Sequence, residues 1–240
     1  MGSISEPKYD SNHHSITHVL FDMDGLLLDT ERLYTDVQES ILASYGKSFD
    51  WSLKAKMMGK KALEAAKIFV NETGLDDVLT PEEFIEKREM MLHSLFPESE
   101  ILPGVERLIR HFHTHQIPMA VATSSHKYHY ELKTMKHKEI FSFMHHVVVG
   151  DDTEVKHGKP APDIFLVAAS RFKVAPVSSK NILVFEDAPN GVAAARTAGM
   201  SVVMVPDPNL DRSLCMGADQ ILGSLLDFKP SDWGLPEFSH

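Results

Sequence analysis

The chain has 240 residues, 43% of them apolar, and a formal charge of −10 from 24 basic against 34 acidic residues. That length can bury a full core, and the acidic balance, with no long basic cluster, excludes nucleic acid as the main partner. A single cysteine, Cys215, excludes an internal disulfide and is expected to be a packing residue in a reducing compartment.

No apolar run is long enough to span a bilayer. The opening "MGSISEPKYDSNHH" has neither the apolar centre of a secretory signal nor the arginine-rich character of a transit peptide. A flexible polar tail over 1–15, a cytoplasmic location and no membrane partner are therefore expected, with the chain acting as a monomer.

The first apolar run, "HVLFD" at 18–22, ends on Asp22, and Asp24 follows one residue later, before Gly25. Residues two apart share a face of an extended chain, so these carboxylates converge and repel unless something cationic lies between them. Helices are then predicted over Glu31–Tyr45, Lys60–Glu72 and Pro81–Leu95, and "LPGVERLIRHF" from Leu102 leads back to an apolar run, "MAVATSS", at 119–125. The step from 22 to 119 is too long for one crossover helix, so 33–100 is expected to be an inserted helical cap, with 16–32 and 101–240 forming the core.

Two more runs end in polar residues, "HVVVGDD" at 146–152 and "NILVFED" at 181–187, and "SVVMVPD" follows at 201–207. Helices are predicted over Asp163–Phe172 and from Asn190, a good first cap, to Gly199. Continuous β-branched runs separated by helices predict an α/β, Rossmann-like parallel sheet covered on both faces, and a cap placed after the first strand would sit over its carboxyl edge.

In a parallel sheet the polar strand ends meet on one rim: Asp22 and Asp24, Thr123 with Ser124, Lys159 from "HGKPAPDIF", and Glu186 with Asp187. So many carboxylates need a divalent cation, and oxygen ligands of this kind select Mg²⁺, which leaves room for a phosphate oxygen. A phosphoryl group held by Mg²⁺, Lys159 and the Thr123 hydroxyl would be open to in-line attack by Asp22, forming an aspartyl-phosphate. Asp24 would then serve as general acid and base, meeting the metal through its backbone carbonyl only. Asp187 is the expected second carboxylate on the metal, while Glu186 orients Lys159 or a metal-bound water.

These residues carry a resemblance. "DMDGLLLDTE", "VATSS", "GKPAPDIF" and "VFEDAPNG" are similar to the four motifs of the haloacid dehalogenase superfamily, in order, over nearly the whole chain after residue 16. The resemblance implies a Rossmann-like core, Mg²⁺, Asp22 as nucleophile, Asp24 as acid and base, Thr123 and Lys159 on phosphate, and Asp187 with Asp22 on the metal. A cap between the first two motifs resembles the subgroup of β-phosphoglucomutase and small-metabolite phosphatases. True dehalogenases lack an acid two residues after the nucleophile, so Asp24 disfavours that chemistry.

Further stretches, among them "MMGKKALEAAKIF", resemble the glycerol-3-phosphatase and pseudouridine-5′-phosphatase groups. The resemblance implies hydrolysis of a small phosphomonoester, glycerol 3-phosphate first, pseudouridine 5′-phosphate second and sugar phosphates third. A phosphomutase and a non-catalytic binding protein are the rival classes. Gly59 and Lys60 are read as a substrate loop of the cap or as a solvated helix start. The 14 histidines lack zinc-site spacing and are expected at the surface or in packing.

Overall fold

The computed structural model describes residues 15–57 and 62–239. The apolar runs form β1 (His18–Phe21), β2 (Met119–Ala122), β3 (His146–Val148), β4 (Ile182–Glu186) and β5 (Ser201–Met204), joined by a short β6 (Gln220–Ile221). All pair in parallel, in the order β3-β2-β1-β4-β5-β6. β1 therefore lies between β2 and β4, with Leu20 beside Ala120 and Val184.

Strand alternation divides the core. Val19, Phe21, Met119, Val121, Leu183 and Phe185 face one layer, with Leu108 and Phe112 of α5 (Val105–Thr114). Leu20, Ala120, Ala122, Val184 and Val202 face the other, with Ile164 and Phe165 of α8 (Asp163–Ser170) and Val192 of α9 (Pro189–Thr197). Burial on both faces explains why these strands read as continuous apolar runs. Cys215 packs in the second layer.

Between β1 and β2 the chain forms α1 (Thr30–Ala43), α2 (Trp51–Met57), α3 (Ala62–Glu72) and α4 (Pro81–Leu95). α4 opens on a capping box between Thr80 and Glu83, with Pro81 in its first turn. These helices enclose a third apolar cluster, in which Leu33, Val37, Phe69, Phe84 and Phe96 are buried and the rings of Phe69 and Phe84 stack at 3.9 Å. The segments entering and leaving this cluster are joined to each other: Asp29 N–H donates to the Glu100 carbonyl at 2.9 Å, and Leu102 N–H to that of Leu27 at 3.0 Å. The predicted substrate loop at Gly59 and Lys60 lies outside the described residues, as does the predicted tail up to residue 14.

Three elements carry too little pattern to be foreseen: α2, α6 (Lys127–Lys133) and α7 (Lys138–Phe141) are seven residues or fewer. α9 starts at Pro189 after an extended Ala188, one residue before the predicted start at Asn190. Proline's fixed φ suits a first helical turn, and that preference wins over the side-chain cap. The first turn of α9 packs on Glu186, and a Cβ at Gly191 would lie 1.9 Å from the Glu186 carboxylate.

At the amino edge of the sheet, His18, His145 and His146 surround Phe172, with ring centroids 4.7, 5.4 and 5.0 Å from it. His18 Nε2 bonds the Val174 carbonyl at 2.8 Å, and His146 Nε2 that of Ala168 at 2.9 Å. Burial lowers both pKa values from the ordinary 6.5 despite these bonds, and repulsion from His145 adds to it.

Two outcomes follow from this packing. Gly191→Ala should cost about 1–3 kcal/mol of stability, as overpacking against a fixed group does, read as a shifted urea midpoint. The depressed histidines bind fewer protons folded than unfolded, so their contribution is fully present above pH 6.5 and is lost as pH falls below it. Melts between pH 7 and 5 should show a falling Tm, with a shallower slope in the His18→Asn, His146→Asn double variant; an unchanged slope contradicts this account.

Candidate active site

β1 delivers Asp22 to the carboxyl edge, where its backbone N–H donates to the Phe185 carbonyl of β4 at 3.0 Å. β4 ends on Glu186, so Asp22, Glu186 and Asp187 are brought together, each offering an oxygen within 4.8 Å of the others. The turn after Asp24 is tight. Gly25 has φ +77°, and a Cβ there would lie 2.4 Å from Asp187 Oδ2, so a side chain would both strain the backbone and displace that carboxylate.

Lys159 reaches this cluster from the loop between β3 and α8. The loop is anchored at both ends: the Arg171 guanidinium grips Asp152 at 2.6 and 2.9 Å, and Asp163 accepts the backbone N–H groups of Lys156 and His157 at 3.1 and 3.0 Å. Lys159 Nζ lies 2.5 Å from Asp22 Oδ1, 2.6 Å from Glu186 Oε1 and 3.1 Å from the Ala122 carbonyl. Burial works to lower the ammonium, but Asp22 and Glu186 outweigh it and hold Lys159 above the ordinary lysine range. Glu186 is saturated by Lys159 and by the N–H groups of Asp187 and Ala188, at 3.2 and 3.3 Å. Among the described residues, no side-chain hydrogen bond reaches Asp22 Oδ2 or the Asp187 carboxylate.

One ammonium does not balance three carboxylates. Burial pushes Asp22 up to about 7, with Glu186 and Asp24 adding to it against the pull of Lys159. Burial likewise raises Asp187 well above its ordinary value, and Asp22, Glu186 and Glu31 reinforce the shift. A hard divalent cation would supply the missing charge, and an all-oxygen donor set of this kind fits one.

Asp24 occupies a separate seat. Its Oδ1 accepts the Thr30 hydroxyl at 2.8 Å and Lys133 Nζ at 2.6 Å, and its Oδ2 accepts the hydroxyls of Ser125 at 2.7 Å and Thr123 at 3.3 Å. Burial works to raise it, yet Lys133 and the hydrogen bonds outweigh burial and hold Asp24 below the usual carboxylate range. Four donors tie this side chain to groups other than the Asp22–Asp187 cluster.

The structure thus gathers Asp22, Asp24, Thr123, Lys159, Glu186 and Asp187 on one rim, with Thr123 fully buried. Ser124 is the remaining residue of the expected phosphate contacts. It is exposed, and the hydroxyl that joins the network is that of Ser125. Side chains two apart share a face along an extended chain, so the position paired with Thr123 was legible as 125. Thr30 and Lys133 were missed: Lys133 is one of several lysines after the second motif, and no spacing singles it out.

The rim opens on a cavity of about 360 Å³ lined by Gly25, Glu31, Leu102, Asp187, Pro206 and Asp207. The inserted helices supply Glu31, whose carboxylate stands 3.5 Å from Lys54 Nζ, and Lys54 donates to the Thr35 hydroxyl at 3.1 Å. No helix among the described residues is long and apolar enough to cross a membrane.

Residues 16–199 match the family model of haloacid dehalogenase-like hydrolase. Among curated relatives, (DL)-glycerol-3-phosphatase 1, mitochondrial, of Arabidopsis thaliana is 62% identical over 95% of this chain and 77% of its own length. (DL)-glycerol-3-phosphatase 2 of the same plant is 65% identical over 93% of both chains. A probable pseudouridine-5′-phosphatase of Drosophila melanogaster is 49% identical over 93% of this chain and 96% of its own. With the motif residues converging on one rim and a family match spanning most of its length, the chain belongs to the haloacid dehalogenase-like hydrolases.

Proposed function

We propose that this chain is a Mg²⁺-dependent phosphatase that hydrolyses glycerol 3-phosphate to glycerol and phosphate through an aspartyl-phosphate. The cluster of Asp22, Lys159 and Asp187 supports the chemistry. The similarity to the two Arabidopsis glycerol-3-phosphatases carries the substrate. Asp22, Asp187 and the backbone carbonyl of Asp24 would hold Mg²⁺, which when bound supplies positive charge to the phosphoryl oxygens and to the two carboxylates.

Lys159 and the Thr123 hydroxyl bind and orient the phosphoryl group, with Lys159 kept charged and aimed by Glu186. Asp22 attacks phosphorus; the bond from Asp22 oxygen to phosphorus forms as the bond to the glycerol oxygen breaks, and Asp24 gives that oxygen a proton, which it must take up beforehand against the pull of Lys133 and its hydroxyl donors. A water then attacks the same phosphorus and yields its proton to Asp24, and Asp22 is released with inorganic phosphate. Residues 33–100 act as a cap whose closure excludes bulk water, and its Lys54, paired with Glu31 just before the cap, presents polar groups to a small alcohol. One chain supplies every residue in this scheme, in keeping with a monomer.

Pseudouridine 5′-phosphate is the second reading, favoured by the Drosophila relative. Specificity constants over a panel of phosphorylated metabolites decide between them, and a strong preference for the nucleoside phosphate overturns the first. Release of inorganic phosphate without an isomeric phosphosugar separates either from a mutase. The cytoplasmic location belongs to the same proposal, and recovery in a mitochondrial fraction, as the name of one Arabidopsis relative has it, overturns that part.

Asp22→Asn should lower kcat by about 10⁴-fold or more, as loss of a nucleophile does, with fold intact by circular dichroism. Stripping divalent cations with EDTA should abolish turnover, and millimolar Mg²⁺ should restore it. Turnover that survives either treatment rules out the scheme.

A further inference from the structure

Lys133 is unexplained by the chemistry above, although it is among the largest fully buried side chains of the protein. It sits at the last position of α6 in the core, and its ammonium bonds Asp24 Oδ1 at 2.6 Å and the Ser125 hydroxyl at 2.9 Å. The other walls of its seat come from the inserted helices. The Phe96 ring lies 4.3 Å from Nζ and the Tyr34 ring of α1 5.4 Å from it.

Stability does not account for a charge in this place. A buried ion pair is commonly neutral or worse when compared with apolar side chains in place of both partners, while removing Lys133 alone would leave Asp24 uncompensated. What the ammonium does is fix geometry. It holds one oxygen of Asp24 while Ser125, bonded to both Lys133 and Asp24, holds the other, so the carboxyl group cannot rotate independently of α6. Because two rings of the seat belong to the cap, Lys133 keeps this desolvated position only while the cap lies over α6.

We propose that Lys133 is a positioning residue for the proton-transfer step, setting the orientation of Asp24 and linking it to the position of the cap. The inference rests on the acid and base role proposed for Asp24. It adds a requirement found in neither the four motifs nor the phosphate contacts: proton delivery to the alcohol oxygen depends on a core lysine held under cap aromatics.

Leaving-group dependence gives the test. The glycerol of glycerol 3-phosphate departs as an alkoxide and needs a proton, whereas p-nitrophenyl phosphate releases a stable phenolate that does not. Lys133→Met, in the full chain with Mg²⁺, should lower kcat for glycerol 3-phosphate on the order of 10²-fold with KM little changed, the lower end of what general acid–base catalysis contributes. The single-turnover release of p-nitrophenol should stay within about threefold of wild type.

Equal losses on both substrates, or no loss on either, overturn the proposal. If Lys133→Met does not fold by circular dichroism, Phe96→Leu, which keeps the lysine and removes one wall of its seat, should show the same selectivity at smaller size, and its absence overturns the proposal equally. Asp24→Asn is the reference. Should it fail to discriminate the two substrates, the acid and base reading falls; should it discriminate while Lys133→Met does not, only the inference about Lys133 falls.

Discussion

Lys159 stands between Asp22 and Glu186 at 2.5 and 2.6 Å, nearly shut off from water, and much of the architecture serves to keep it there. Breaking such a pair by removing one partner costs about 3–5 kcal/mol, since a charge is left without compensation. The parallel order sets β1 beside β4, which places Asp22 next to Glu186. The Arg171 and Asp163 anchors hold the loop that brings the lysine in. Gly191 lets α9 start directly against the Glu186 carboxylate, whose second oxygen accepts the N–H groups ahead of the helix. These two ion pairs are thus fixed by three separate segments of the chain.

The remaining imbalance is what makes the place reactive. With Glu186 saturated, Asp22 and Asp187 share a pocket that burial makes hostile to two negative charges. A divalent cation would relieve that strain, and its positive charge would in turn draw a phosphoryl group. Asp24, two residues away, escapes this tension because Thr30, Ser125 and Lys133 give it a different set of partners. Two neighbouring acids acquire different characters from their surroundings.

The sheet and the rim were legible because a buried parallel strand leaves an unmistakable apolar run and ends on whatever the chemistry requires. Five strands and the residues Asp22, Asp24, Thr123, Glu186 and Asp187 came from that rule, the long helices of the insert from helical spacing, and Lys159 from the stretch that carries it between β3 and α8. Short elements escaped it. β6 has two residues and α6 seven, too few for a period to show. Lys133 was hidden for the same reason, since its importance comes from Tyr34, Phe96 and Asp24, which are remote in sequence. Ser125 shares a face with Thr123 two residues away, and that spacing marks it as the hydroxyl that joins Asp24.

The helical insert has its own apolar centre, and its two connecting segments are laced together, with Leu28 bridged to Ile101 and reciprocal bonds on either side. This paired ribbon holds the entering and leaving segments of the insert side by side. The same ribbon makes the insert a cassette: its ends leave the sheet side by side, and a foreign helical unit with matching ends could be spliced there without disturbing the strand order. Diversification of what is recognised can then proceed on one side of the ribbon while the phosphoryl chemistry on the other stays untouched.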